Sequence, residues 1–195
     1  MTKRLILVTS PPASGKTYIS KKLSERLKHI VYLDKDTLIP LSKQIFTVAG
    51  EEYNRSSDFF KKYIRDYEYI TIVDLALEAL QYDSKALINA PFTSEIRDEA
   101  YMNNLKEKLR ALNAKLTVIW VVTDPEIVHQ RMMERNSDRD KWKLENWKEY
   151  IESVDFSVPK TIDDPDDDLD FLKFFNNNEE EYEESMNRIV NLLEN

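Results

Sequence analysis

The stretch Leu5-Ile6-Leu7-Val8-Thr9-Ser10-Pro11-Pro12-Ala13-Ser14-Gly15-Lys16-Thr17 decides how the rest of the chain is read. Its first half is an apolar β-type run. Its second half fits G-x-x-x-x-G-K-[ST] everywhere except the first position, where Ser10 replaces glycine. Just downstream, Ile19, Leu23 and Leu27 recur at helical spacing, so the motif joins a strand to a helix. That context suits a phosphate cradle, in which backbone N–H groups at a helix N-terminus point at anionic oxygens. Gly15 lets the backbone approach without a Cβ, Lys16 reaches the β- and γ-phosphates, and the Thr17 hydroxyl ligates Mg²⁺. Pro12, Ala13, Ser14, Gly15, Lys16, Thr17 and Tyr18 are therefore the expected nucleotide-binding segment. The chain has only two glycines, and one falls where the motif needs it. Ser10 must adopt whatever backbone angles the first turn requires.

Working outward, apolar runs alternate with helical patterns, which predicts an α/β fold with a mostly parallel sheet of about five strands. Strands are expected at Arg4–Thr9, Ile30–Leu33, Lys85–Ala90, Leu116–Val122 and Asp170–Phe175. In 57–82, Phe60, Ile64, Tyr67, Ile70, Leu77 and Leu80 predict one long helix or two. Tyr101, Leu105, Leu109 and Leu112 mark a further helix face. Asp124-Pro125 opens another, with aspartate as cap and proline at its first position. Asn178 and Glu181 form a capping box for a C-terminal helix. Residues 163–168 read as an acidic loop, and residues 1–195 as a single domain.

The 195 residues include no cysteine, which excludes disulfides and thiolate metal sites. The opening apolar run is too short for a signal-peptide core, and no stretch is long enough to span a membrane. A cytoplasmic location is the expectation. The net charge of −8 is uneven. Residues 151–195 hold 14 acids against Lys160, Lys173 and Arg188, leaving 22 acids against 25 bases in the first 150. A slightly basic body suits anionic phosphates, but the chain lacks the basic stripe of a nucleic-acid binder.

Several nucleotide-binding classes drop out on their missing motifs. There is no Asn-Lys-x-Asp of a GTPase and no Leu-Ser-Gly-Gly-Gln of a transporter ATPase. The third strand ends Leu87-Ile88-Asn89-Ala90-Pro91 rather than in the paired acids of a ring-forming motor. With Leu5 to Thr17 as its specific part, the chain resembles the small P-loop kinases grouped as AAA-like ATPases. These include polynucleotide 5′-kinase domains and the zeta-toxin and chloramphenicol phosphotransferase types. The resemblance implies a three-layer P-loop fold and transfer of the γ-phosphoryl group of Mg·ATP to a hydroxyl acceptor. It gives Asp36, after the second strand in Tyr32-Leu33-Asp34-Lys35-Asp36-Thr37, the task of orienting that hydroxyl, with Asp34 beside it.

Residues 131–148 resemble a kinase lid. Arg131 would face adenine, while Arg135 and Arg139 would close on the phosphates. Relatives carry an acid for the Mg²⁺ water shell where this chain has Asn89. Residues 37–70 correspond to the acceptor-binding insert, in which Arg55 could hold an anionic acceptor. Thr93 and Arg97 lie just past the third strand, at the sheet edge where open α/β folds bind ligands. A small-molecule hydroxyl is the expected acceptor. A 5′-hydroxyl polynucleotide kinase and a non-catalytic ATP sensor are the alternatives.

Overall fold

The computed structural model describes residues 2–136, 140–159 and 169–194. Arg139 and the expected acidic loop at 163–168 lie outside the described residues. Strands β1 (Lys3–Thr9), β2 (Ile30–Asp34), β3 (Lys85–Asn89), β4 (Ala114–Val122) and β5 (Leu169–Phe175) form one parallel sheet, ordered β2-β3-β1-β4-β5. Each strand matches its sequence expectation to within two residues at either end.

The central strand explains the layering. Leu5, Ile6, Leu7 and Val8 are all fully buried, because neighbouring residues of a strand point to opposite faces and both faces are covered. Leu5 and Leu7 join a core formed with helices α4 (Asp66–Tyr82) and α5 (Glu99–Arg110). Ile6 and Val8 meet α1 (Lys16–Arg26) and α9 (Glu179–Glu194) on the other side. Ile19, Leu23 and Leu27 supply the α1 face as expected. The sheet is thus a filled middle layer, and only its edges and strand ends remain for function.

Between β2 and β3 stand α2 (Ile39–Ala49), the short α3 (Asp58–Phe60) and α4. A π-type turn over Lys61–Arg65 joins α3 to α4. That turn changes which residues face inward. Phe60 and Ile64 are buried as their spacing suggests, but Tyr67 and Ile70 are exposed, and Tyr69, Ile72, Val73 and Ala76 are buried in their place. A wider turn advances the helical phase, so one regular period cannot describe both halves.

Beyond β4 come α6 (Pro125–Arg135), α7 (Lys141–Glu145) and α8 (Trp147–Ser153). Asp124 occupies the cap position of α6, yet its side chain makes no capping bond, and instead its N–H donates to Asn177 Oδ1 at 2.8 Å. At α9, Asn178 Oδ1 accepts from the Glu181 N–H at 2.9 Å. Glu181 bonds back to the Asn177 N–H, one residue earlier than a standard capping box.

The expected insert, residues 37–70, is tied to the residue after β2 by a buried carboxylate. Glu68 accepts two hydrogen bonds from Arg55, at 2.8 and 2.7 Å, one from Lys35 Nζ at 2.9 Å and one from Ser42. Burial alone would raise its pKa, but the donors from Arg55, Ser42 and Lys35 outweigh it and hold the carboxyl down at about 2. A depressed carboxyl contributes stability above its unfolded value near 4.5, and that stability is lost as pH falls towards 2. Glu68→Gln is expected to destabilise the fold by about 3 kcal/mol near neutrality, since it leaves Arg55 and Lys35 uncompensated. Urea unfolding midpoints should separate the two proteins at pH 7 and converge as pH drops from 4.5 to 2. A constant gap would remove Glu68 ionisation as the cause.

Candidate nucleotide and acceptor site

The phosphate loop lies at the C-terminal edge of the sheet, between β1 and α1. Gly15 has φ 91° and stands at the N-terminus of α1. A Cβ there would come within 2.5 Å of Asn176 Nδ2, so glycine is required by contact as well as by conformation. Ala13 adopts φ 63°, an unfavourable left-handed angle for alanine. Ser10 is fully buried and is not among the residues of positive φ, which removes the main demand for glycine at that place. Its hydroxyl donates to the Pro11 carbonyl at 2.9 Å, and Ser14 donates to the same carbonyl at 3.1 Å.

Two residues outside the motif hold the loop in shape. The Ser14 carbonyl accepts from Thr123 Oγ1 at 3.1 Å and from Asn176 Nδ2 at 2.8 Å. These residues follow β4 and β5, so the loop is fastened to the ends of both strands. Sequence reasoning passed over them. Their one readable signal is position: each stands immediately past a strand of a parallel sheet.

A cavity of about 490 Å³ opens above the loop and is lined by Lys16, Thr17, Tyr18, Pro12, Ala13 and Gly15 from the motif and helix start. Asp34, Asp36, Asn89, Arg131, Arg135 and Lys143 face it from other elements. Four cations therefore meet two carboxylates in one hollow, a balance suited to a polyanion.

One corner is a polar junction. Asn89 Nδ2 donates to Asp34 Oδ2 at 2.9 Å and to Thr17 Oγ1 at 3.1 Å, while the Tyr32 hydroxyl donates to Asp34 Oδ2 at 2.9 Å. Burial, followed by the Asp34 carboxylate, pushes the Tyr32 phenol upward, so it remains a donor. Asn89 Oδ1 is buried and has no hydrogen-bond partner. The Thr17 hydroxyl and the Asp34 carboxylate are hard oxygen donors that fit Mg²⁺ with part of its water shell, while Asn89 turns its amide N–H₂ group, not its oxygen, towards both. Asp36 differs from Asp34. It donates its backbone N–H to Asp34 Oδ1 at 3.0 Å, while its own carboxylate is 61% exposed at the cavity rim, 3.8 Å from Lys35.

The residues expected to form a lid come from α6 and α7. Arg131 Nη2 donates to the Asn176 carbonyl at 2.7 Å, whereas its Nη1 is buried without a partner at the loop. Burial lowers its pKa. Arg135 donates through Nε to Asp140 Oδ2 at 2.9 Å, and Lys143 reaches Asp140 Oδ1 at 3.3 Å. Asp140 is fully buried and holds both cations at the cavity wall. Asp140 and Lys143 fall in the lid-like 131–148, but sequence reasoning gave neither a role, because their tie to Arg135 depends on how α7 folds back. The lid base is apolar: Val128, Met132 and Tyr150 pack with Leu144 and Trp147, and Ala13 of the loop joins them. His129 stacks on Trp147 at 4.1 Å, while Trp142 stays exposed.

Three expected acceptor contacts lie elsewhere. Arg55 is engaged with Glu68 and stacked over Phe60 rather than lining the cavity. Thr93 and Arg97 border an adjoining hollow behind Pro91. Arg97 donates to the carbonyls of Thr93, at 2.7 Å, and of Ser157, at 2.9 Å, and lies over Trp120. Among the described residues no helix is long and apolar enough to cross a membrane.

Several solved structures with this fold are kinases by title. A putative kinase from Chloroflexus aurantiacus is 20% identical, with a TM-score of 0.61 over 99% of this chain and 97% of its own. Shikimate kinase from Bacteroides thetaiotaomicron is 16% identical, with a TM-score of 0.55 over 99% of both chains. A sugar kinase from Janibacter is 12% identical, with a TM-score of 0.56 over 99% of this chain and 95% of its own. No curated protein matches the chain. The family model described as an AAA domain matches residues 5–156, the span from β1 through the lid and the segment after it, and the chain belongs to that family.

Proposed function

We propose that the protein is an ATP-dependent phosphotransferase that moves the γ-phosphoryl group of Mg·ATP to a hydroxyl of a small molecule. The observation that carries this reading is the shared cavity: Lys16 and the loop on one wall, Arg131, Arg135 and Lys143 on another, and Asp34 and Asp36 opposite. Bound Mg²⁺ would supply charge neutralisation at the phosphates, with Thr17 and Asp34 as its protein-side oxygens and Asn89 holding both in place. The loop amides and Lys16 would hold the β- and γ-phosphates. Arg135, and Arg139 in the same role, would meet charge that spreads over the transferring group. Arg131 would lie against the nucleotide. Asp36, whose carboxylate is open at the rim, would accept a hydrogen bond from the acceptor hydroxyl and aim its oxygen in line.

A cavity of about 490 Å³ is of the size that encloses small molecules, and it favours a small acceptor over a polymer end. The names of the similar shikimate and sugar kinases agree with a hydroxylated small acceptor. Thr93 and Arg97, at the adjoining hollow, would extend the acceptor surface. Arg55 would act on the acceptor only through the insert that it braces.

Four substitutions test separate parts of this reading. Lys16→Ala is expected to keep the fold and weaken Mg·ATP affinity by roughly 10- to 100-fold, the range for a lost charge-assisted hydrogen bond. Calorimetry that finds wild-type affinity would overturn the nucleotide site. Asp36→Asn is expected to retain ATP affinity while transfer to an acceptor falls about 10²–10⁴-fold. Asp34→Asn should instead raise the Mg²⁺ concentration needed for tight nucleotide binding. Exchange of these two phenotypes would reverse the assignments. Arg135→Ala should lower turnover at saturating substrates by about 10²-fold with little change in ATP affinity, since its contact belongs to the transition state. An acceptor screen of sugars, nucleosides, antibiotics and 5′-hydroxyl oligonucleotides with labelled ATP reads all of these variants. Wild-type protein that labels only oligonucleotides would replace the small-molecule acceptor.

A further inference from the structure

A second cavity, of about 450 Å³, opens between α4 and α5 on the face of the sheet opposite α1 and α9. Its size is that of a small-molecule pocket. Tyr69, Val73, Tyr101 and Leu105 contribute apolar and aromatic lining. Its ionic groups are Asp66, Asp74, Glu95 and Asp98 against Arg65 and Lys108, the reverse of the cation-rich cavity above the phosphate loop. A phosphate or carboxylate compound would be repelled here.

Arg65 is already engaged. It donates to Asp66 at 3.1 Å and to Glu95, and its guanidinium lies 4.6 Å over the Tyr69 ring. Glu95 is only 8% exposed, and one of its oxygens, Oε2, is buried without a hydrogen-bond partner. That oxygen leaves a desolvated negative charge half satisfied just beneath the surface of the hollow that Glu95 lines. Tyr101 registers the same field: burial first, and the Glu95 charge second, push its phenol up to about 12. Asp74 is exposed at the rim and has no ion-pair partner among the described residues. Carboxylates beside aromatic faces suit an N–H-bearing cation with an apolar body, which can use both. A bare metal ion would leave the apolar lining unused.

We propose that the cavity between α4 and α5 binds a small organic ammonium compound, with its cation at Glu95 and Asp74 and its apolar body against Tyr69, Val73 and Leu105. The site is separate from the phosphate-loop cavity but linked to it through one residue. The Tyr69 ring lines the second cavity, while its hydroxyl donates to the Pro91 carbonyl at 3.0 Å, and Pro91 lines the first. Occupancy would therefore bear on the wall of the nucleotide site.

The test uses the full chain, amide NMR and three probes of one shape: phenethylammonium, neutral phenethyl alcohol and anionic 3-phenylpropionate. Phenethylammonium should shift resonances in 65–74 and 94–105 saturably, in the roughly millimolar range usual for a fragment of that size. The alcohol should bind about tenfold more weakly, and the anion should leave these residues unmoved. Asp74→Asn, an exposed and unpaired position, should weaken the amine by about three- to fivefold. Asn104→Trp, exposed on α5 at the cavity edge, should abolish binding by filling the space, with circular dichroism showing that both variants fold. Equal shifts from amine and alcohol would overturn the proposal. So would amine shifts confined to the phosphate loop, or wild-type amine affinity in either variant. These readings involve no ATP, so they stand or fall apart from the kinase assignment.

Discussion

The Ser14 carbonyl accepts two hydrogen bonds, from Thr123 and Asn176, and the geometry of the nucleotide site depends on that pair. A phosphate loop must turn its amides inward, which sends a carbonyl in the opposite direction towards the body of the protein. Buried there, that oxygen needs donors. Residues at the ends of β4 and β5 supply them, and the same Asn176 leaves no room for a side chain at Gly15. Loop, sheet edge and helix start are thereby locked into one arrangement. Arg131, bonded to the Asn176 carbonyl, ties the lid to the same post.

Electrostatics divides the molecule in a second way. Buried carboxylates act as holders of cations, among them Asp140 for Arg135 and Lys143, and Glu68 for Arg55 and Lys35. A lone buried carboxylate would be prohibitive, but each here accepts several donors. The outcome differs by location. Asp140 presents its cations to a cavity, whereas Glu68 draws Arg55 and Lys35 together away from it. Arginine near a nucleotide site is therefore not enough to make an anion contact; what already holds the guanidinium decides.

Much of this architecture is legible in the sequence because it is local. The strand–loop–helix motif, the apolar runs of a doubly covered sheet and the order of lid after β4 depend on neighbours in the chain. The remainder depends on contacts between distant residues. Arg55 sits in the insert at a plausible acceptor position, but its partner Glu68 is identified only once α4 is folded. Asp34 and Asp36 are two residues apart and alike in sequence; their difference arises because β2 runs beside β3 and brings Asp34 to Asn89. Tyr67 and Ile70 have core-like spacing, and the π-type turn at Lys61–Arg65 turns them outward. Asn89 reads from sequence as a departure from the expected acid, whereas the fold joins it to Asp34, which supplies the missing charge nearby.

The fastening of Ser14 also has a consequence for synthesis. The motif closes at Thr17, but one of the two fasteners of its Ser14 carbonyl, Asn176, comes 162 residues after Ser14. Most of the chain must therefore be made, and β5 added to the sheet edge beside β4, before the loop can take its final shape. Contacts so far apart in sequence form late and slowly. A chain that lacks β5 would carry an intact motif on a loop fastened by Thr123 alone, so the order of synthesis delays the final shape of the loop until β5 exists.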